Sequence, residues 1–561
     1  MASSVVGTIL SGLLLGASAV TSQAAATVMT PDDQPQGAQA PAPRLAVIVH
    51  VDGFRADYLE RFAPLLGDEG LARLGSQGAV FDDAAITHTV ASLAPGLASL
   101  ATGVLPGQAG IPTDQWFDRQ TRKHQDAVGD VGAIIVGSDA DVAKDQLSPA
   151  NLQAPTLGDL MQTQFGEASL VYSFSWHELG ALLLGGKDSD GSFWIDHYTG
   201  TWVSSTMLMP RLPAWIVEQN EAGALERFRE TSWERSFDDE TGELYASADD
   251  DPDEPPFSGL PTFPYDLPRF STRRKLRQMS AAMPVNDQLI LDGASAALAA
   301  TELGQDDVPD LLSIDFSSLG YTGRNYGPDS QEVMDTVLRL DRRLAELMAT
   351  LDARVGPGQW TLALTSTEGV ARLPSKTGAP SLKSRDVLLP IELGLREHFS
   401  DSPVIDLQAY TLGLGGGWLY LSAVAAERAG VTVAEAAAVA APLAATIPGV
   451  ARALTVAELR ASDDPALRAW GDDVHAERSG DLLLLLDPGV VLRAGVGTDW
   501  GSHHPYDRQV PLMLLGQGIT AGHHSGPAEA LNVAPTLAQA LGLELPPALQ
   551  KRVLTAALTA P

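Results

Sequence analysis

The chain has 561 residues, more than a single hydrophobic core usually supports, so we expect a large domain with insertions or two lobes. Hydrophobic residues make up 45% of the sequence, enough to bury a sizeable core. The formal net charge of −33 repels nucleic acid and anionic lipid and argues against both as partners. The chain has no cysteine, which excludes disulfides, thiolate metal sites and a cysteine nucleophile.

The N-terminus has the pattern of an export signal. An apolar run rich in small residues extends from about Val5 to Val20, and three alanines follow at 24–26. This pattern predicts a signal peptide over residues 1–26 and export to the periplasm. No Lys or Arg precedes Arg44, so either the true start lies upstream or the signal is atypical. The run is too short for a membrane span, and we expect none in the mature chain.

The rest of the chain alternates between strand and helix patterns. Residues 27–43, rich in Pro, Gln and Ala, predict a disordered linker, and ordered structure begins at Arg44. Apolar runs typical of strands buried on both faces cover residues 45–51, 311–316, 361–365 and 510–514. Apolar residues at helical spacing predict a long helix over Val333 to Leu351. The alternation predicts an α/β fold with a doubly wound, mostly parallel sheet flanked by helices.

Two segments interrupt this alternation. Residues from about 194 to 284 carry Trp, Pro and acidic clusters and predict an insertion that forms a cap. Residues from about 415 to 480 contain an aromatic strand pattern and an Ala-rich helix and predict a small second α/β lobe. We therefore expect one domain over residues 44–549, interrupted by a cap and a lobe, and a C-terminal tail over residues 550–561.

A doubly wound sheet binds ligands beyond the carboxyl ends of its strands. In this chain those positions are Asp52, the turn after Phe316, the turn after Thr365 and the segment before Val510. The segment 87–103 belongs with them, because it contains an Ala-Pro-Gly turn that leads into a helix.

Several segments at these positions resemble the alkaline phosphatase superfamily. They are VDGFRADYL at 51–59, APGLASLATG at 94–103, GPDSQEV at 327–333, TSTEGV at 365–370 and GSHHPYD at 501–507. The segment FWIDHYTGTWVSST at 193–206 is similar, more narrowly, to the periplasmic phosphate-irrepressible alkaline phosphatases, which are type I phosphodiesterase/nucleotide pyrophosphatase-like. The resemblance runs in order from about Arg44 to Leu549 and implies the alkaline-phosphatase-like fold.

The resemblance implies a two-zinc site that cleaves phosphate esters through a covalent phospho-threonine or phospho-serine. Two cations close together lower the pKa of the nucleophile and hold the attacking and leaving oxygens in line. The substrate phosphate is held in the closest relatives by a Lys-x-Arg pair, which aligns with His177 and Leu179 between Ser173 and Ala181.

Carried over residue by residue, the family pattern survives at one metal-binding position. Asp52 stands where the family has its first metal-binding Asp, and Leu93 stands at the nucleophile position. The other ligand positions, which the resemblance fills with Asp or His, hold Gly320, Arg324, Thr367, Glu368 and Trp500. Glu368 has a carboxylate and is able to substitute for one metal ligand. Asp52 without its partners is equally typical of an ordinary turn residue at the end of a strand.

Arg324 and Ser92 allow two readings each. Arg324 falls close to Asp52 and Glu368, so its guanidinium is expected either to replace the positive charge of the metal and pair with those carboxylates or to point to solvent. Ser92 lies next to the nucleophile position, and a small loop shift would present its hydroxyl, although hydroxyls are common in such turns.

The remaining candidates are weaker. His503 and His504 lie near Asp499 and are either metal ligands or surface residues. Asp114 and Trp116, which follow the predicted helix, and His177 are expected to line a pocket that once held substrate.

The sequence therefore predicts an exported pseudoenzyme that acts by binding an unidentified ligand or protein and needs no cofactor. One alternative is an active phosphoric-ester hydrolase, a phosphomonoesterase or phosphodiesterase with two zinc ions in a rebuilt site. That site would use Ser92, Asp52, Glu368, Asp499 and the His503–His504 pair. The other alternative is a structural or assembly subunit, which needs only the outer surface.

Overall fold

The computed structural model describes residues 42–559 except 120, 139–145, 197, 224, 227–230, 255–259, 267–279, 400–408 and 494. The predicted signal peptide and residues 27–41 of the predicted linker lie outside the described residues. Within the described ranges, no helix combines the length and apolarity that a membrane crossing requires.

The described residues form strands and helices in alternation. The strands are β1 (Leu45–Val51), β2 (Ala79–Ala84), β3 (Gln115–Asp118), β4 (Lys123–Asp126), β5 (Ile135–Val136), β6 (Val171–Ser175), β7 (Gly191–Ile195), β8 (Trp202–Ser205), β9 (Ser232–Trp233), β10 (Tyr265–Asp266), β11 (Asp310–Phe316), β12 (Trp360–Thr365), β13 (Ser381–Leu382), β14 (Thr411–Gly415), β15 (Trp418–Leu421), β16 (Val450–Thr455), β17 (Leu482–Leu486), β18 (Val491–Leu492), β19 (Leu512–Gly516) and β20 (Gly522–Ala528).

The helices are α1 (Asp57–Phe62), α2 (Leu71–Gln77), α3 (Leu93–Thr102), α4 (Pro106–Ala109), α5 (Leu157–Phe165), α6 (Glu178–Gly185), α7 (Ala214–Glu221), α8 (Asp239–Tyr245), α9 (Val285–Ala300), α10 (Ser318–Tyr326), α11 (Gln331–Arg354), α12 (Pro374–Thr377), α13 (Ser384–Phe399), α14 (Ala423–Arg428), α15 (Val433–Ala444), α16 (Val456–Arg460), α17 (Pro465–Asp472), α18 (Pro505–Arg508), α19 (Val533–Ala540) and α20 (Pro547–Gln550).

A ten-stranded sheet forms the centre, in the order β20-β2-β19-β12-β1-β11-β6-β7-β8-β5. The run from β12 to β7 is parallel throughout. In β1, Ala46 and Ile48 join the core on one face of the sheet, while Val47 and Val49 join the core on the other. Helices α3, α6 and α19 cover the first face, and α1, α9 and α11 cover the second. This arrangement confirms the predicted doubly wound, mostly parallel sheet.

The strand predicted over residues 510–514 differs from the prediction in direction. It is β19 (Leu512–Gly516), and it runs antiparallel to β12, with Leu514 opposite Ala363. Burial on both faces produces the same continuous apolar pattern in a parallel and an antiparallel strand, so the pattern does not reveal direction.

The second sheet has the order β14-β15-β17-β16 and covers a wider range than the predicted 415–480 lobe. Trp418 and Tyr420 of β15 pack against the main core, whereas Leu419 and Leu421 pack against α13 and α15. Because α13 begins at Ser384, the lobe includes residues well before the predicted boundary. The face that meets the main core places β17 opposite the carboxyl ends of the central strands.

The insertion predicted over residues 194–284 differs in extent and in position. Its first residues belong to the main sheet, because β7 and β8 pair with each other at the edge. The later part packs on the start of α11, where the Trp233 indole donates to Asp335 and the Tyr265 hydroxyl donates to Glu332. Among its described residues, none lines the cavity at the sheet end.

The C-terminal segment 550–561 is packed over its described part. Leu558 forms a β-bridge with Ile519, and Thr559 N–H donates to the Gly518 carbonyl.

Replacing Trp233 tests the anchor of the insertion. Trp233→Phe removes one of three donors to the Asp335 carboxylate, whose side chain is 0% exposed. Trp360→Phe is the matched control, because its indole donates to Asp352, which is 28% exposed and can be rehydrated. We expect Trp233→Phe to lower the free energy of unfolding by about 1–2 kcal/mol more than the control in urea titrations. Equal losses would contradict this assignment.

Candidate functional site

The site begins at Asp52, which follows β1 in the middle of the sheet. The Asp52 N–H donates to the Phe316 carbonyl at 2.9 Å, which aligns the ends of β1 and β11. Gly320 of α10 lies directly against the Asp52 carboxyl, since a Cβ atom at Gly320 would be 2.2 Å from Asp52 Cγ. The buried carboxyl of Asp52 therefore occupies the space that a side chain at position 320 would need.

Thr367 and Glu368 follow β12 and lie beside Asp52. Both residues are 0% exposed, and the Thr367 hydroxyl donates to Glu368 Oε2 at 2.5 Å. Thr367 also packs on the first turn of α3, where a Cβ at Gly96 would lie 2.2 Å from Thr367 Cβ. Gly96 therefore allows α3 to approach this close, and the contact leaves no gap between α3 and the end of β12.

The two carboxyls of the site, those of Asp52 and Glu368, are neighbours in a buried region. Burial, followed by the interaction with the Asp52 carboxyl and by repulsion from its charge, raises the pKa of Glu368 well above its usual value. The Thr367 hydroxyl acts in the opposite direction but does not prevent the shift. Asp52 Oδ1 and Glu368 Oε1 are both buried and have no hydrogen-bond partner among the described residues. These surroundings favour the neutral form of Glu368.

Beneath this pair lies a buried polar network that the sequence analysis missed. His50 Nε2 is 2.9 Å from Thr367 Oγ1, and His50 Nδ1 is 2.6 Å from Asp315 Oδ1. Ser175 Oγ donates to Asp315 Oδ2 at 2.6 Å. Burial alone would raise the pKa of Asp315, but His177 and His50 outweigh it and hold the pKa below its usual value. His50 and Asp315 face each other across neighbouring strands, an arrangement that only strand pairing reveals.

His177 belongs to this network and not to the cavity. Its ring accepts from Gly180 N–H and caps α6, and its Nε2 lies 3.5 Å from Asp315 Oδ2. Leu179, on the next turn, lines a groove outside the cavity. The expectation that His177 lines the pocket is therefore wrong, because its ring turns back to the helix end and to Asp315.

Leu93 and Ser92 lie at the start of α3. Leu93 is the first helical residue and is buried in the main core. Ser92 is 3% exposed and borders the cavity. Among the described residues, its hydroxyl has no hydrogen-bond partner of good geometry. The hydroxyl nevertheless lies close enough to the Asp114 carboxyl to stabilise its charged form. Asp114 accepts from Ala94 N–H at 2.7 Å. Burial raises the pKa of Asp114, while the Ala94 N–H, Ser92 and Arg324 oppose the shift.

The position of Arg324 contradicts both interpretations from the sequence, pairing with Asp52 and Glu368 and pointing to solvent. Its guanidinium pairs with Asp499, Nη2 to Oδ1 at 3.0 Å, and lies over the Trp500 ring at 4.1 Å from the centroid. It pairs with neither Asp52 nor Glu368, and with 31% of its side chain exposed it does not simply point to solvent. Burial raises the pKa of Asp499, and the charges of Arg324 and Arg493 oppose the shift.

His503 and His504 pack against each other with ring centroids 4.1 Å apart and the ring planes tilted by 39°. His504 Nε2 donates to the Leu486 carbonyl, which ties the loop to β17. Burial, with the charges of His504 and Arg508, lowers the pKa of His503 to about 4, so its ring is neutral at neutral pH. His503 lines the cavity, so it is not simply a surface residue.

A cavity of about 250 Å³ lies between these residues and the second sheet. Its polar wall includes Ser92, Asp114, Arg324, Asp499 and Asp507, and its apolar wall is formed by Leu483, Leu484, Leu485, Leu486, Val490, Val491 and Leu492. The apolar wall was missed because it comes from the lobe. Trp116, which was expected here, is instead a core residue beneath the Arg478 guanidinium.

Asp507 is a further residue that the sequence analysis did not single out. It is 1% exposed, it lines the cavity, and its Oδ2 accepts from Ser502 N–H at 2.8 Å. Burial raises the pKa of Asp507 to about 7, against the effect of Ser502 and Arg508. Among the described residues, no three or more His, Asp or Glu side chains are grouped so that they could hold a metal ion.

Comparison with known proteins identifies the family. The model of the type I phosphodiesterase/nucleotide pyrophosphatase family matches residues 46–508. The chain belongs to this family. It is 30% identical to the alkaline phosphatase PhoV of Synechococcus elongatus over 91% of this chain and 92% of that protein. It is 27% identical to the alkaline phosphatase PafA of Elizabethkingia meningoseptica over 90% of this chain and 93% of that protein.

The crystal structure of wild-type PafA shares the fold. It superposes with a TM-score of 0.84 at 25% identity and covers 93% of this chain and all of that chain. The family and the alkaline-phosphatase-like architecture expected from the motifs are therefore confirmed.

The raised pKa of Glu368 predicts a pH dependence of stability. Because the folded pKa lies above the unfolded value near 4.5, the stabilisation is complete below that value and is lost as pH rises through the folded pKa. Glu368→Gln is similar in size and cannot ionise. We expect its free energy of unfolding to exceed that of the native protein increasingly as pH rises, in urea titrations across a pH series. The exposed control Glu397→Gln should follow the native protein, and parallel curves for Glu368→Gln would contradict the raised pKa of Glu368.

Proposed function

We propose that this chain is an exported pseudoenzyme of its family, which binds a ligand or partner through the cavity and does not hydrolyse phosphate esters. The observation that carries the proposal is the arrangement of Arg324, which is paired with Asp499 and stacked on Trp500 at positions where the resemblance implies metal ligands. A fixed guanidinium already supplies positive charge there, and it repels a dication.

The donor set does not fit the two-zinc centre that the resemblance implies. Zinc in proteins is held by imidazole, carboxylate or thiolate ligands at about 2 Å. Gly320 has no side chain, Trp500 offers no lone pair, and Leu93 offers no hydroxyl, so Asp52 and Glu368 are left without the partners that two zinc ions need. Removing ligands costs orders of magnitude in metal affinity, so we derive no reaction step through zinc.

The groups that would replace the nucleophile and bind the phosphate also argue against hydrolysis. Leu93 has no hydroxyl. The nearby Ser92 hydroxyl has a carboxyl beside it, but among the residues that the structure describes it has no imidazole within hydrogen-bond distance. A phosphate dianion in the cavity would face Asp114 and Asp499 with a single guanidinium already engaged. Unpaired like charges in a partly buried site cost several kcal/mol.

Export to the periplasm is part of the proposal. It rests on the apolar N-terminal run and the three alanines at 24–26. A protein outside the cytoplasm would meet its ligands or partners there.

Metal content and turnover test the proposal together. We expect the purified mature protein, equilibrated with zinc and dialysed, to hold far less than one zinc ion per chain by elemental mass spectrometry. We also expect no turnover of p-nitrophenyl phosphate or bis-p-nitrophenyl phosphate. PafA, treated in parallel, is the control for both assays. About two zinc ions per chain with turnover that Ser92→Ala abolishes would replace the pseudoenzyme by the rebuilt hydrolase.

A further inference from the structure

The lobe side of the cavity is a continuous aliphatic wall. It consists of seven residues of β17, of β18 and of the turn between them, Leu483, Leu484, Leu485, Leu486, Val490, Val491 and Leu492. Leu485 is 7% exposed and Val490 is 2% exposed, although both line a cavity of about 250 Å³. These side chains face the cavity and each other and have little contact with bulk water. A hydrocarbon body placed against them would be removed from water on this side.

The charges on the opposite wall are compensated within the protein. Among the described lining residues, Arg324 is the only Lys or Arg, and it pairs with Asp499 at 3.0 Å and lies over the Trp500 ring. Burial raises the pKa of Asp114 and raises that of Asp507 to about 7, so the surroundings of both carboxyls favour the neutral form. A charged ligand of either sign would lose its hydration without gaining an unpaired counter-ion, and the cavity therefore favours an uncharged one.

The His503 ring is a hydrogen-bonding group that the protein leaves unused. It is half-buried, it lines the cavity, and its ring nitrogens have no hydrogen-bond partner among the described residues. The neighbouring His504 differs, because its Nε2 is held by the Leu486 carbonyl. The neutral ring of His503 offers one donor and one acceptor. A hydroxyl group, which both donates and accepts, matches this pair.

The volume of the cavity limits the size of the ligand. An engineered protein cavity of about 150 Å³ with an apolar lining holds benzene, which has six non-hydrogen atoms. In proportion, a cavity of about 250 Å³ holds a ligand of about ten non-hydrogen atoms. This corresponds to one ring with a short alkyl chain and a hydroxyl group.

We propose that the cavity binds a small uncharged alcohol or phenol, with its hydrocarbon body against the aliphatic wall and its hydroxyl on His503. The proposal rests on the proposed function, because it assigns the ligand of a non-hydrolytic site. Carboxylates, phosphates and ammonium compounds of the same size would be excluded, because the charges in the cavity already have partners.

The probe is 4-propylphenol, and isothermal titration calorimetry with the intact mature protein measures its binding at pH 7. Its charged analogues 4-propylbenzoate and 4-propylbenzylammonium have a similar body. We expect one 4-propylphenol per chain, and we expect each ion to bind about tenfold more weakly or less. This comparison uses only the native protein, so it does not depend on the folding of a variant.

His503→Phe tests the hydrogen bond, because it keeps an aromatic ring at the cavity and removes both ring nitrogens. We expect it to raise the Kd of 4-propylphenol about threefold to tenfold. Propylbenzene, which has no hydroxyl, should bind the native protein and the variant equally. The matched control is His523→Phe, because His523 has a side chain that is 66% exposed and lies outside the cavity. This control should leave both Kd values unchanged.

Tighter binding of either ion, no saturable binding of 4-propylphenol, or an equal effect of His503→Phe on both neutral ligands would overturn the proposal. Any of these results in a protein without zinc and without phosphatase turnover would overturn only the ligand class. Bound zinc with turnover would instead overturn the proposed function.

Discussion

The site is organised around charge that must be compensated at the carboxyl ends of buried parallel strands. Asp52, Asp315 and Glu368 emerge from three neighbouring strands into a region without solvent, where an isolated carboxylate costs several kcal/mol. The raised pKa of Glu368 favours its neutral form, which lowers that charge, and His50 and His177 lie against Asp315. Gly320 packs directly against Asp52 and Gly96 packs directly against Thr367, so a side chain at either glycine would clash with this network.

A second compensation operates one layer further out, where Arg324 links Asp499 and Trp500. The Arg324 guanidinium supplies a fixed positive charge near the positions where the family resemblance implies zinc ligands. A fixed positive charge disfavours a dication at the same place.

The sequence was informative where one residue carries its own chemical meaning. Leu93 lacks a hydroxyl and Gly320 lacks any donor, whatever surrounds them. The family motifs occur in order, so the fold followed from them and the superposition with PafA agrees. The sequence misled where a side chain had a choice of partners, because Arg324 is long enough to reach several carboxyls and only packing selected Asp499.

The sequence by itself determined the strand and helix pattern, the family and the loss of donor atoms at single positions, because these depend on local composition and order. Only the tertiary structure decided the antiparallel direction of β19, the apolar wall that β17 contributes and the raised pKa of Glu368 beside Asp52. Each of these depends on contacts between segments far apart in the chain. The free energy of a buried charge is set by its neighbours in space, and sequence spacing does not specify them.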